Sequence, residues 1–261
     1  MIDFENIEKN IEQISNEFLT AKPVEHVVID NFCNSEFKNQ LKFLPDPNKE
    51  KINKSRDYIF ANNKFEKSKF NTISDGFNEL YEDLISLRFQ KILREITKEN
   101  VFVDKEFHGG GLHQGGENAF LDMHVDFNYH PMKNNWFRNL NILLYLNENW
   151  KSSYRGQLEL KHLHNNDVKK IEPIYNRCVI MFTRDYTLHG YKTINFPKGE
   201  YRKSIAAYAY SLSNNEKNKK KRVTIWYPEN SSKFKRLIGF YWPKLVKIKH
   251  FFFGSGTEKN K

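Results

Sequence analysis

The chain of 261 residues carries 42 Lys and Arg against 32 Asp and Glu, a formal charge of +10, and 39% of it is hydrophobic, with 22 Phe and 13 Tyr. That composition suits one domain of good size around an aromatic-rich core and leaves no length for a second full domain. No apolar run is long enough to span a membrane, the opening MIDFENIEKNIEQ is acidic where a signal peptide is basic then apolar, and Cys33 and Cys178 stand far apart in no metal-type spacing, so a soluble cytoplasmic protein is expected.

Apolar residues at helical spacing predict a helix over residues 4 to 20. The stretch HVVIDNFCNSEFKNQLKFL reads as a short strand, then a helix entered through an Asn34 or Ser35 cap. Residues 45 to 75 give no readable motif and are expected as a loop. A third helix is predicted over roughly 75 to 98 through Phe77, Leu80, Tyr81, Leu84, Ile85, Leu87, Ile92 and Ile96. From residue 101 the pattern changes to short runs bounded by Gly, Asn or Pro: VFVDKEF, AFLDMHVDF, NLNILLYLN, GQLELKHL, NRCVIMFT and RKSIAAYAYS. Many short strands at this spacing predict a sandwich or barrel, and no internal repeat suggests a propeller or solenoid.

The polar stretch SNNEKNKKKR divides the chain into 1–213 and a C-terminal extension, 214–261. The extension holds 13 Lys and Arg against 3 Asp and Glu, leaving 29 of each sign in the first 213 residues. All of the excess charge is therefore local, and no nucleic-acid partner is expected. From Lys233 onward, Phe234, Leu237, Ile238, Tyr241, Leu245, Ile248 and Phe252 recur at helical spacing, with Lys235, Arg236, Lys244, Lys247 and Lys249 between them and a kink expected at Trp242-Pro243. The apolar side of such a helix either packs on its own domain or another subunit, or residues 231–253 contact an anionic membrane surface or an acidic partner.

In LDMHVDFNYH, residues 121–130, an extended backbone puts Asp122, His124, Asp126 and Asn128 on one face and Leu121, Met123, Val125 and Phe127 on the other. Two His and one carboxylate with open positions suit non-haem Fe(II), and RDYTLHGY offers His189 as the third ligand after an apolar strand. Thirteen residues later YRKS sets Arg202 and Ser204 on one strand face, a fork and a hydroxyl suited to a carboxylate. An isolated HxD is ordinarily a structural pair; the order HxD, then His, then Arg-x-Ser on an apolar strand is what gives it weight. FHGGGLH has no G-x-S-x-G partner and reads as a turn at a barrel mouth. His162 and His164 in KHLH fit an exposed hairpin, and His130 fits either the substrate entrance or a satisfied surface position.

Taken together, FLDMHVDFN, RNLNILLYLNENW, GQLELKH, IEPIYNRCVIMFT, LHGY and YRKSIAAYAYS resemble the Fe(II)/2-oxoglutarate-dependent oxygenase superfamily, prolyl 4-hydroxylase-like type, over roughly 100 residues from His113 to Ser211. The resemblance implies a mainly β fold, a double-stranded β-helix (jelly roll) buttressed by N-terminal helices. It implies that His124, Asp126 and His189 bind Fe(II), that Arg202 and Tyr145 hold the distal carboxylate of 2-oxoglutarate, and that Ser204 completes the Arg-x-Ser pattern. Gln114 stands near the position where relatives often place a co-substrate Tyr, and Gly156-Gln157 replaces the usual glycine pair.

The activity implied is hydroxylation of an unactivated C–H, with O2 consumed, succinate and CO2 released, and ascorbate as an accessory reductant. Asp126 at the third ligand position favours hydroxylation over halogenation. The substrate is expected to be a peptidyl residue such as proline, or a small molecule or glycan, chosen by loops 45–75, 105–118 and 128–137, where Tyr129, His130 and Trp136 suit stacking on a ring. The alternative is a catalytically silent jelly-roll binding module acting through its basic C-terminal segment.

Overall fold

The computed structural model describes residues 1–48, 53–54, 57–213, 220–229 and 231–253. In chain order come α1 (Phe4–Lys9), α2 (Ile11–Thr20), β1 (His26–Ile29), a 3-10 helix (Ser35–Phe43), β2 (Asn53–Lys54), β3 (Ala61–Lys67), α3 (Asp75–Ile85) and α4 (Leu87–Thr97). Then follow β4 (Phe102–Val103), β5 (Gly111–Val125), β6 (Trp136–Tyr145), β7 (Leu158–His162), β8 (Val168–Ile171), β9 (Cys178–Phe182), β10 (Thr187–Tyr191), β11 (Arg202–Leu212), β12 (Ile225–Trp226) and α5 (Lys233–Phe253).

Of the three helices predicted for the N-terminal part, the one entered at Asn34 is a 3-10 helix with no side-chain cap hydrogen bond, and the other two are each broken once, at Asn10 and at Ser86. Ser86 supplies its own reason: its backbone is extended, its Oγ accepts from the Phe89 N–H at 3.1 Å, and it donates to the Asp83 carbonyl at 2.7 Å. One side chain thus ends α3 and caps α4. The stretch 45–75, expected as a loop, contains β3, which pairs with β5.

The named strands pair antiparallel in the order β1-β9-β6-β11-β5-β10-β7-β8. β5 is long enough to serve both halves of the curled sheet: its first residues pair with β11 and its last with β10. This is the double-stranded β-helix, and alternation along its strands sets the two environments. On β6, Leu140, Ile142 and Leu144 join the main core under the helices, with Phe18, Phe37, Phe77, Phe89 and Leu93. Leu143 and Tyr145 point into the barrel with Leu158, Leu160, Val179 and Met181. Phe18 meets Phe182 edge to face at 4.8 Å, the aromatic contact that joins α2 to β9. Cys33 and Cys178 are buried and free, and burial pushes both thiols up.

β12 adds to the end of β5, with Trp226 opposite His124 and Ile225 opposite Val125, and α5 packs behind it. At the opposite side, Asn176 ties the N-terminal layer to the barrel. Its Oδ1 accepts from the Cys33 N–H at 2.7 Å, its Nδ2 donates to the Cys33 carbonyl at 2.8 Å, and its own carbonyl accepts from Phe32. Asn176→Ala leaves two buried backbone groups unpaired and is expected to cost about 2–4 kcal/mol. A lower urea midpoint with an unchanged slope is the reading that bears this out.

Candidate metal centre

His124 near the end of β5 and His189 in the middle of β10 are directly opposite each other across the ladder, their ring centroids 4.2 Å apart. Asp126 lies two residues beyond, its Oδ1 3.6 Å from His124 Nε2 and its Oδ2 3.4 Å from His189 Nε2. Ligand atoms of the three residues all fall within 4.8 Å of one another, and all three residues are buried. The donor chemistry fits a divalent ion. His124 Nδ1 donates to the Asp122 carbonyl at 2.9 Å, which turns the lone pair of Nε2 toward the site. On His189 it is Nε2 that receives the Asn141 amide, at 3.4 Å. Burial first, then His124, lowers the His189 imidazole to about 3, so it is held in the neutral form a metal requires.

Asp126 is a buried charge and needs compensation. Burial alone would raise its pKa, but Arg138 above all, with His189 and His124, holds the carboxyl well below the usual range. Arg138 lies 3.0 Å from Asp126 Oδ2, and the Asn141 amide donates to the same oxygen at 2.9 Å. The Arg138 guanidinium is sandwiched between Tyr208, 3.6 Å from its ring centroid, and Phe127, at 4.6 Å. Neither Arg138 nor Asn141 was found from the sequence. In a regular strand positions three apart face opposite ways, but β6 is bulged at Asn139, where its register with β11 shifts, so both reach the same carboxylate.

A second bulge corrects the expected face of β5. The ladder with β10 runs His189 to His124 but Tyr191 to Leu121, so Leu121 turns into the pocket while Asp122 turns out to pair with Lys235 at 2.6 Å. Gly190 is what permits it, because a Cβ there would stand 2.6 Å from the Leu121 carbonyl.

The other pole of the pocket is Arg202. It donates from Nε to the Gly156 carbonyl at 2.7 Å and from Nη2 to the Tyr145 hydroxyl at 3.3 Å, and its plane lies 4.2 Å over the Tyr191 ring. Gly156 has φ +79°, and a side chain there would collide with Ile194 and Arg202, so the remaining glycine of the expected pair is the one the fold needs. Ser204 lines the same cavity. Gln114 does not. It is opposite Lys203, one residue out of phase with the pair Ser204 and His113, and its amide donates to the Pro45 carbonyl at 3.0 Å on the far face. His113 takes the pocket position instead, a one-residue offset that reverses the face.

Tyr129, His130 and Trp136, expected to stack on a substrate ring, are also placed elsewhere. His130 is buried against Asp104 at 3.5 Å and between Trp136 and Tyr210, with its Nδ1 accepting from Met132 and Lys133. Tyr129 packs edge to face on Phe137. The aromatic walls of the pocket are Tyr58, Phe127, Tyr191, Tyr208 and Trp226, the last tilted over His124 at 4.7 Å. Lys64 completes the lining, paired with Glu66 at 2.7 Å, which raises its pKa against the opposing effect of burial. Gly109 contributes its carbonyl to the Tyr208 hydroxyl, while His162 and His164 sit on the β7–β8 hairpin away from the site.

Residues 110–210 match the family model described as the 2OG-Fe(II) oxygenase superfamily. Among solved structures, a prolyl-4-hydroxylase from Pseudomonas putida is 12% identical, covering 78% of this chain and 100% of that one with a TM-score of 0.53. A prolyl hydroxylase from Trichoplax adhaerens, in complex with a hypoxia inducible factor peptide fragment, is 16% identical over 80% of this chain and 93% of that one, TM-score 0.56. The non-heme alpha ketoglutarate dependent epimerase SnoN of nogalamycin biosynthesis is 9% identical over 87% of each, TM-score 0.53. At these identities the structural likeness is one of fold. No curated protein sequence matches the chain.

Two outcomes follow from the electrostatics. Arg138→Met strands the Asp126 charge and is expected to cost the metal-free protein about 3–5 kcal/mol, read by thermal unfolding in chelator. His113 is likewise lowered to about 3 by burial, then Lys64, as His189 is. Their unfolded forms take up protons near 6.5, so the stability tied to their neutral state is full above about pH 6.5 and lost as pH falls toward 3. The urea midpoint should fall between pH 7.5 and 5, and fall less in His113→Gln.

Proposed function

We propose that the chain is an Fe(II)/2-oxoglutarate-dependent dioxygenase of the prolyl-4-hydroxylase-like type, a reading supported by the family match over residues 110–210 and by the fold of the hydroxylase neighbours, and that it hydroxylates an unactivated C–H of a peptidyl residue such as proline, or of a small molecule or glycan. The observation that carries the reading is the convergence of His124, Asp126 and His189 in the same cavity that Arg202, Tyr145 and Ser204 enter from the other end. In this reading the two imidazoles and the carboxylate hold Fe(II), and Arg202 with the Tyr145 hydroxyl grips the distal carboxylate of 2-oxoglutarate by charge-assisted hydrogen bonds. Bound there, the iron with 2-oxoglutarate and O2 supplies the oxidising power for C–H cleavage, one oxygen atom going to the substrate and the other to succinate as CO2 leaves.

The protein's own contribution is registration and exclusion of water. Arg138 and Asn141 fix the Asp126 carboxylate; the Asp122 carbonyl fixes the His124 tautomer; Gly156 and Tyr191 fix the Arg202 fork. The cavity measures about 220 Å³, below the usual range for pockets that enclose a whole organic ligand. A substrate therefore presents one group inward and leaves the rest outside, past the rim at Tyr58. The two hydroxylase neighbours support a peptide substrate, and SnoN supports a small molecule on the same fold.

Anaerobic titration of metal-free protein with Fe(II) and 2-oxoglutarate tests the assignment. A weak visible charge-transfer band is expected in the wild type, absent in His124→Ala, and requiring on the order of 30-fold or more 2-oxoglutarate in Arg202→Ala. No band in the folded wild-type protein would overturn the reading. Where the band is present, succinate release measured with and without ascorbate reads the role of that reductant.

A further inference from the structure

Helix α5 has two apolar faces. One is docked. Lys235 pairs with Asp122 and lies over Phe120, Gly239 approaches the Trp226 carbonyl so closely that a Cβ would stand 2.9 Å from it, and Trp242 stacks on Tyr58 at 5.9 Å and meets Phe60 edge to face. The other face is bare. Phe234 is 69% exposed, Leu237 55%, Phe240 73%, Tyr241 43% and Leu245 47%. At 3.6 residues per turn, Phe234, Leu237, Tyr241 and Leu245 fall within an arc of about 80°, with Phe240 beside it.

The charge around that face has one sign. Residues 231–253 contain six Lys and Arg and no Asp or Glu. Only Lys235 among the described cations of the helix is spent on the body, and Lys233, Arg236 and Lys244 are exposed around the apolar arc. A second copy docked face to face would set these cations against their own images. No described helix is long and apolar enough to cross a membrane, so a bilayer would be met in its interface plane. We propose that the outward face of α5 docks on an anionic lipid surface, with Phe234, Leu237, Phe240, Tyr241 and Leu245 entering the headgroup region and Lys233, Arg236 and Lys244 meeting lipid phosphates.

Docking through this face is independent of the metal and its chemistry, and the same helix touches the pocket. Trp242 stacks on Tyr58, and Tyr58 belongs to the pocket lining and is itself 38% exposed. The helix that lies on the lipid therefore also buttresses the rim.

The test is co-sedimentation of the whole chain with equimolar phosphatidylcholine–phosphatidylglycerol vesicles and with phosphatidylcholine vesicles alone. The wild type should pellet with the anionic vesicles and be released by high salt. The triple variant Lys233→Gln, Arg236→Gln, Lys244→Gln should lose on the order of 100-fold in partitioning, at about one decade or less per cation. Phe234→Glu with Leu237→Glu should abolish it, with circular dichroism unchanged in both variants. A wild type that stays in the supernatant overturns the proposal, as does binding that survives the Phe234→Glu, Leu237→Glu pair. A dimer in sedimentation velocity that this pair dissolves, without vesicle binding, reassigns the face to a second copy and overturns it as well.

Discussion

The structure turns on one buried carboxylate. Asp126 lies in a cavity that would neutralise it, and everything adjacent keeps it charged: Arg138 at 3.0 Å, the Asn141 amide at 2.9 Å and two imidazoles within 3.6 Å. Such a charge is tolerable only with several partners in good geometry, because removing one leaves the desolvation cost in place. The requirement propagates outward. Arg138 is itself buried and is held by aromatic faces on either side, Tyr208 from β11 and Phe127 from the end of β5. Three elements are thus locked together around one oxygen atom.

The legible part of the site was the part set by local spacing. His124 and Asp126 are two apart on one strand, and Arg202 and Ser204 likewise, so alternation alone gives each pair a common face. Their mutual approach needed the strand order, for which the motif order of a known superfamily stood in. What escaped was whatever depends on a break in alternation. The bulge at Asn139 brings Arg138 and Asn141 to one carboxylate, and the irregularity opposite Gly190 exchanges Leu121 for Asp122. Gln114 failed by the same cause in miniature, one residue from His113. The helix breaks at Asn10 and Ser86 were similarly hidden, since the apolar periodicity runs on through both, and at Ser86 a single polar side chain decides where the backbone leaves the helix.

The C-terminal segment reads as an appendage by composition, yet its first part is built into the site. Trp226 pairs with His124 along the ladder and tilts over its ring, Arg222 donates to the Asp126 carbonyl, and the Arg222 N–H donates to Asn128. Composition could not reveal this because the contacts are made by two isolated residues, Arg222 and Trp226, the second in a strand only two residues long, with no period of their own. The charge that marks the segment is divided: Lys233, Arg236 and Lys244 are exposed on α5, while Lys235 pairs with Asp122 and Arg222 donates to the Asp126 carbonyl.

Counting charge within the pocket connects its two poles. Arg138, Arg202 and Lys64 face Asp126 and Glu66, an excess of one positive charge among the described lining and its partner. A divalent cation alone would raise that to three in a cavity walled by Tyr, Phe and Trp, where like charges interact strongly. A dicarboxylate alone would bring two negative charges toward Asp126 and leave the site with an excess of one negative. Together they cancel, and the balance set by the side chains returns to its starting value. The proposed metal and co-substrate would therefore be bound as a neutral pair by a pocket whose own charges need no rearrangement, and each would be held more weakly without the other. That coupling follows from the same constraint as the rest: Asp126 is already compensated by Arg138, so the metal adds to a satisfied cluster and must bring its own counter-charge with it.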